Sequence, residues 1–413
     1  MFFNRVPSVC RYTPLLACAA AFFMFFSLHG CGRTLPQNLD ALFAAWYLNP
    51  DTRTAKSLYE CNLSARQFDS LAQHARPAES VNGPQVTMLV DSLGVRYALG
   101  ILPPVSFSRD SLYPLIIYLH GGIGTHLNIK GEKAYEMLAP LTDSLKLFIA
   151  SPSANRAAPW WGPVGLYRIL QAVRYMTLLY PIDPDRIVLA GVSDGATGCW
   201  AAANAMYAPF AGFIAVSGFG GLLPRFGIPL APSNLQRRPI YNVNAGGDHL
   251  YPISEVNKFL DWCESEGIGV RRKVYENEKH GFDYRMSEMS TIAQLIRSWR
   301  KPHDGSVSLT LSGRGPFSGD NILDVAPAPS QGSRPPFVAG SWHGDTLYVQ
   351  TRGIRSADFF FTGVTSPYII VSYNGTVSRV KKLKYDAKLY MQAIQHECMP
   401  AVPDYSVYRV DFK

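Results

Sequence analysis

From Val86 to Trp299 the apolar runs PLIIYLH, LKLFIAS, RIVLAG, FIAVSG and PIYNVNAG alternate with stretches of helical spacing. That alternation predicts crossover units and a mostly parallel sheet covered on both faces, an α/β fold. Two earlier runs, VTMLV and RYALGILPP, are split by the turn-like Asp91 to Gly94 and predict an antiparallel hairpin. A further strand, VRRKVYE, precedes His280, and Met286 to Trp299 reads as a closing helix. Upstream, Leu39, Leu42, Phe43 and Trp46 recur at helix spacing, which predicts a helical extension over 32–84 ahead of the α/β domain at 85–302. Beyond Pro302 the Gly-, Pro- and Ser-rich SGRGPFSGDN and VAPAPSQGSRPP mark loops. TLYVQT, ADFFFTG, PYIIVSYNG and YSVYRVDF then alternate like half-buried strands, so 303–413 reads as a small C-terminal β-module.

The 413 residues exceed what one core usually fills, and 47% hydrophobic against 17% charged residues is an ordinary globular balance. Residues 1–31 read differently. Arg5 and Arg11 precede an apolar run from Leu15 to Leu28, short for a bilayer crossing, then small residues and Cys31. Leu28, Gly30 and Cys31 resemble a bacterial lipobox, with His29 an unusual occupant, and imply export with acylation at Cys31 as a membrane anchor. A plain secretory signal and an uncleaved anchor stay open. Either way the expected location is the cell envelope, outside the cytosol. Cys61, Cys199, Cys263 and Cys398 remain in the body, too widely spaced for a metal clip, and their pairing is open. The net charge of +8 is spread thinly apart from Arg271 to Lys273 and Lys381 to Lys384, which argues against a nucleic-acid partner.

The chemistry concentrates in RIVLAGVSDGATG. A G-x-S-x-G between a strand and a helix leaves room for a strained turn that holds the hydroxyl of Ser193 at the helix N-terminus. A serine hydroxyl needs a base and an acid to orient that base, and the order Ser, acid, His fits Asp248 in NAGGDHLYP and His280 in NEKHGFDY. His249 and His126 are weaker bases by position, and Asp283 is the rival acid, its other role a helix cap. In YLHGGIG, the His120, Gly121 and Gly122 loop follows a strand and offers backbone N–H groups to an oxyanion, with the Asp194 N–H as a second donor. Trp160 and Trp161, on the loop after LKLFIAS, together with Tyr251 and Phe282, are candidates for lining a substrate pocket. No H-E-x-x-H or D-x-D-x-D-G spacing occurs, so no metal or cofactor is required.

HGG, YPIDPDRIVLAGVSDG, GGDHLYP and KHGF together resemble the esterase and phospholipase/carboxylesterase branch of the α/β-hydrolase superfamily. They are also similar to polyhydroxybutyrate depolymerase-like and feruloyl-esterase-like proteins and to prolyl oligopeptidase-type catalytic domains. The resemblance covers about Tyr97 to Trp299 and implies a Ser193, Asp248, His280 triad, oxyanion donors near Gly122 and Asp194, and hydrolysis of a small-molecule or polymer ester. Asp194 departs from the small residue that many relatives carry after the serine. Two alternatives remain: an exopeptidase of the same fold, and a surface-binding lipoprotein with an inactive core.

Overall fold

Eight strands form one sheet in the order β1-β2-β4-β3-β5-β6-β7-β8. They are β1 (Gln85–Val90), β2 (Arg96–Leu102), β3 (Tyr113–Leu119), β4 (Phe148–Pro152), β5 (Ile182–Val192), β6 (Gly212–Val216), β7 (Ile240–Ala245) and β8 (Val270–Tyr275). β2 runs against both β1 and β4, and every other pairing is parallel. This order with one reversed strand is the α/β-hydrolase fold. The computed structural model describes residues 38–50, 52–74, 83–313, 316–329, 334–364, 366–400 and 405–412. Residues 1–31, on which the expectation of export and of acylation at Cys31 rests, lie outside them.

The central strands bury nearly every residue because helices cover both faces. Alternate residues of β3 choose opposite cores. Leu115, Ile117 and Leu119 face one cluster with Trp160, Val173, Trp200 and Leu260, while Ile116 and Tyr118 face the other with Val243, Ile292 and Ile296. Each aliphatic chain so buried contributes roughly 1.5–3 kcal/mol relative to exposure. In chain order the main helices are α1 (Leu39–Leu48), α2 (Thr52–Glu60), α3 (Ala65–His74), α4 (Pro163–Leu179), α5 (Asp194–Ala205), α6 (Ile253–Ser265), α7 (Arg285–Ser298) and α8 (Ala387–Glu397).

One buried ion pair braces the side of the sheet nearest the hairpin. Arg168 of α4 binds Asp91 through Nε at 3.0 Å and Nη2 at 2.6 Å. It also gives Nη1 to Asn128 Oδ1 at 3.0 Å and to the Ser153 carbonyl at 2.9 Å. The other Asp91 oxygen accepts the N–H groups of Leu93 and Val95, closing the hairpin turn. Both side chains are 1% exposed.

The C-terminal region forms a three-stranded sheet and a five-stranded sheet around a shared apolar core. It also contains α8, which the alternating pattern did not suggest. Part of VAPAPSQGSRPP is strand rather than loop, since Ile322–Pro327 pairs with Ile354–Thr362. Arg238 and Arg237 both bind Asp320, Lys301 binds Glu397 at 3.0 Å, and Asn234 exchanges two bonds with the Thr310 backbone, which ties this region to the α/β sheet. The helices α1 and α3 pack on α4 and α8, burying Phe43, Trp46, Phe68, Tyr390 and Ile394 together. Cys61, Cys199, Cys263 and Cys398 are unpaired. Burial raises the thiol pKa of Cys199 and Cys398, and that of Cys263 to about 12, so these thiols stay protonated and inert.

Candidate active site

Ser193 stands where β5 ends and α5 begins, with φ 56° and ψ −119°, a backbone conformation few non-glycine residues adopt. The flanking glycines permit it by close approach. A Cβ on Gly195 would lie 2.0 Å from the Leu119 carbonyl oxygen, and one on Gly191 would lie 2.4 Å from that of Gly195. The turn is held because the Ser193 N–H donates to Val216 O at 2.9 Å and its carbonyl accepts the Thr197 N–H at 3.1 Å.

The loops after β7 and β8 bring the other two groups to this turn. His280 Nε2 lies 3.0 Å from Ser193 Oγ, and its Nδ1 lies 2.8 Å from Asp248 Oδ2. Asp248 is wholly buried as a side chain, and its second oxygen accepts the Leu250 and Tyr251 N–H groups at 2.8 and 2.9 Å. With its lone pairs so engaged, the carboxylate fixes the proton of His280 on Nδ1 and leaves Nε2 as an acceptor toward the serine. The rival acid Asp283 is instead exposed and bonded to Arg285, which pulls its pKa down to about 2. His126 and His249 are exposed.

The β3 loop closes the third side. A Cβ on Gly121 would lie 2.9 Å from that of Ser193. Neither the Gly122 nor the Asp194 N–H meets a protein acceptor among the described residues, so both remain available to a ligand. His120, only noted in sequence as part of HGG, orients this loop. Its Nε2 accepts the Ala154 N–H at 3.1 Å, so Nδ1 carries the proton and donates to the Gly121 carbonyl at 2.9 Å. Burial lowers its pKa to about 4.

This has a pH consequence. Between about pH 6.5 and pH 4 an unfolded His120 takes up a proton that the folded ring refuses, so stability is complete above that window and falls with pH through it. The expected loss is about 3 kcal/mol in all. Chemical unfolding of wild type and His120→Gln at pH 7 and pH 4.5 measures it, with a shallower pH dependence expected in the variant; equal dependence would remove His120 as the cause.

The candidate pocket residues divide. Trp160 is fully buried, its indole N–H donating to the His120 carbonyl at 2.9 Å, and therefore supports the loop rather than lining a pocket. Tyr251 is 6% exposed and stacks on the His280 ring at 5.4 Å between centroids, so it fixes the imidazole plane; burial raises its phenol pKa. Phe282 packs against Tyr275 and Tyr284. Trp161 stacks at 4.5 Å on Phe226, which is 46% exposed, and with it offers an open aromatic face.

No protein-family model matches this chain, nor does any curated protein sequence. Solved structures match about half of it. A thermostable esterase is 20% identical over 52% of this chain and 63% of its own, with TM-score 0.41. The Pyrococcus horikoshii acylaminoacyl peptidase is 15% identical over 54% of this chain and 43% of its own, with TM-score 0.44. A ferulic acid esterase is 15% identical over 52% of this chain and 97% of its own, with TM-score 0.41. The chain thus spans less than two thirds of the first two.

Proposed function

We propose that this protein is a serine hydrolase that cleaves carboxylic esters through an acyl-enzyme intermediate. The reading rests on one observation: Ser193, His280 and Asp248 form an unbroken hydrogen-bonded relay at a strained strand-to-helix turn. Ser193 Oγ attacks the ester carbonyl carbon while His280 Nε2 takes its proton. The oxyanion that forms meets the N–H groups of Gly122 and Asp194, each donor lowering the barrier by roughly 3–4 kcal/mol. His280 then returns the proton to the departing alcohol oxygen, and a water molecule, deprotonated in the same way, releases the acid and restores the serine. Asp248 keeps the imidazole in the tautomer both steps need.

The relay is equally suited to an amide, so the substrate class is tested directly. Purified protein beginning at Gly32 is assayed on p-nitrophenyl acetate, butyrate and octanoate and on aminoacyl p-nitroanilides. Ester turnover carried by Ser193 is the expected result. Preference for the anilides would move the assignment to a peptidase, and no turnover on either set would leave a binding protein. Export with acylation at Cys31 belongs to the same proposal and follows from residues 1–31 alone; a mature N-terminus lacking the diacylglyceryl mass would remove it.

A further inference from the structure

Two successive peptide units of the β3 loop are each pinned at the carbonyl, and the second is pinned at both ends. The Gly121–Gly122 unit has its carbonyl bonded by the neutral His120 ring. In a trans peptide the N–H points opposite to the carbonyl, so this bond aims the Gly122 N–H. The Gly122–Ile123 unit has its carbonyl bonded by the Lys130 ammonium, and its N–H donates to Asp194 Oδ2 at 3.0 Å. Gly122 lies between the two units at φ +65°, and it is a residue with little intrinsic resistance to rotation on either side.

Opposite charges therefore hold the two ends of one planar unit. Asp194 places a carboxylate one residue after the nucleophile, beside the position where the oxyanion forms. An unbalanced negative charge there opposes the reaction, and an ammonium across the same peptide offsets it.

We propose that Asp194 and Lys130 form an electrostatic staple across the Gly122–Ile123 peptide, with Lys130 both fixing the oxyanion loop and neutralising Asp194. Both are positioning residues, and the proposal rests on the serine-hydrolase reading above. If the loop is merely packed, losing Lys130 costs only stability. If the staple operates, Lys130→Met leaves Asp194 uncompensated, and removing that charge as well restores part of the rate.

The test compares wild type with K130M, D194N, D194A and K130M/D194N on p-nitrophenyl butyrate. K130M is expected to lower kcat about 10- to 100-fold, the scale of a misplaced donor, with KM within about twofold. K130M/D194N is expected to be faster than K130M, and D194N, which keeps an acceptor oxygen, to be faster than D194A. A K130M variant with wild-type kcat, or a double variant no faster than K130M, would overturn the proposal.

Hydrogen exchange at the Ile123 amide is read in the same proteins without substrate. Faster exchange in D194A supports the staple, and unchanged protection overturns it. A wild-type rate that survives Ser193→Ala would overturn the hydrolase reading instead, and the exchange experiment separates the two failures.

Discussion

Ser193→Ala and His280→Ala are each expected to lower kcat about 10⁶-fold, and the variant carrying both to be no slower than either alone. In the proposed mechanism serine and histidine act on one proton, so losing either removes the whole relay. What remains comes from the Gly122 and Asp194 donors and from binding. Asp248→Asn costs less, about 10⁴-fold, for a reason visible in the contacts. An asparagine keeps an oxygen for the Leu250 and Tyr251 N–H groups but presents its NH₂ to His280 Nδ1. The imidazole must then carry its proton on Nε2, where it can no longer accept one from Ser193. Single-turnover kinetics on p-nitrophenyl acetate with wild type and the four variants measures this. A double variant a further 100-fold slower, or a near-wild-type Asp248→Asn, would mean the three residues do not work as a unit.

Asp91→Ala destabilises the fold by about 3–5 kcal/mol, far more than an exposed ion pair would. Arg168 is 1% exposed and stays charged when its partner is removed. Its remaining contacts are the Asn128 amide oxygen, the Ser153 carbonyl and the face of Tyr97, at 4.6 Å, none of which supplies a negative charge. The hairpin turn also loses the one oxygen that accepts both the Leu93 and the Val95 N–H. Asp91→Ala with Arg168→Met recovers part of the loss, because a packed apolar pair is often no less stable than a buried ionic one. Guanidinium unfolding of the three proteins decides the matter, and a loss under about 1 kcal/mol in the single variant would show that Arg168 reaches water on its own.

The parallel sheet was legible because its strands are buried on both faces and read as unbroken apolar runs bounded by turn residues. That Ser193, Asp248 and His280 come together was legible because strand ends, glycines and chain order confine each to a loop of known position. What pins the oxyanion loop was not legible. Lys130 and Asp194 lie 64 positions apart, on elements whose periodicity is silent about which backbone atom a side chain reaches. Trp160 was misplaced for a similar reason: a tryptophan after a strand looks the same in sequence whether its indole N–H points to a pocket or to the His120 carbonyl. The helix α8 escaped notice because its residues 387–397 mix Tyr390, Met391 and Ile394 with lysine, glutamine and histidine among neighbouring strands.

The partnership of α1 and α3 with α8 bears on the order in which the chain acquires its shape. Tyr390 bonds Asp69 at 2.7 Å and Gln395 bonds the Tyr47 carbonyl at 3.1 Å, across more than three hundred residues of intervening chain. Until residues 387–397 have been synthesised, Phe43, Trp46 and Phe68 have only half a wall to close against. Helices α1 and α3 can therefore complete their packing only after α8 has been made. A nascent chain stalled anywhere short of α8 leaves those aromatic side chains open to whatever binds unfolded polypeptide.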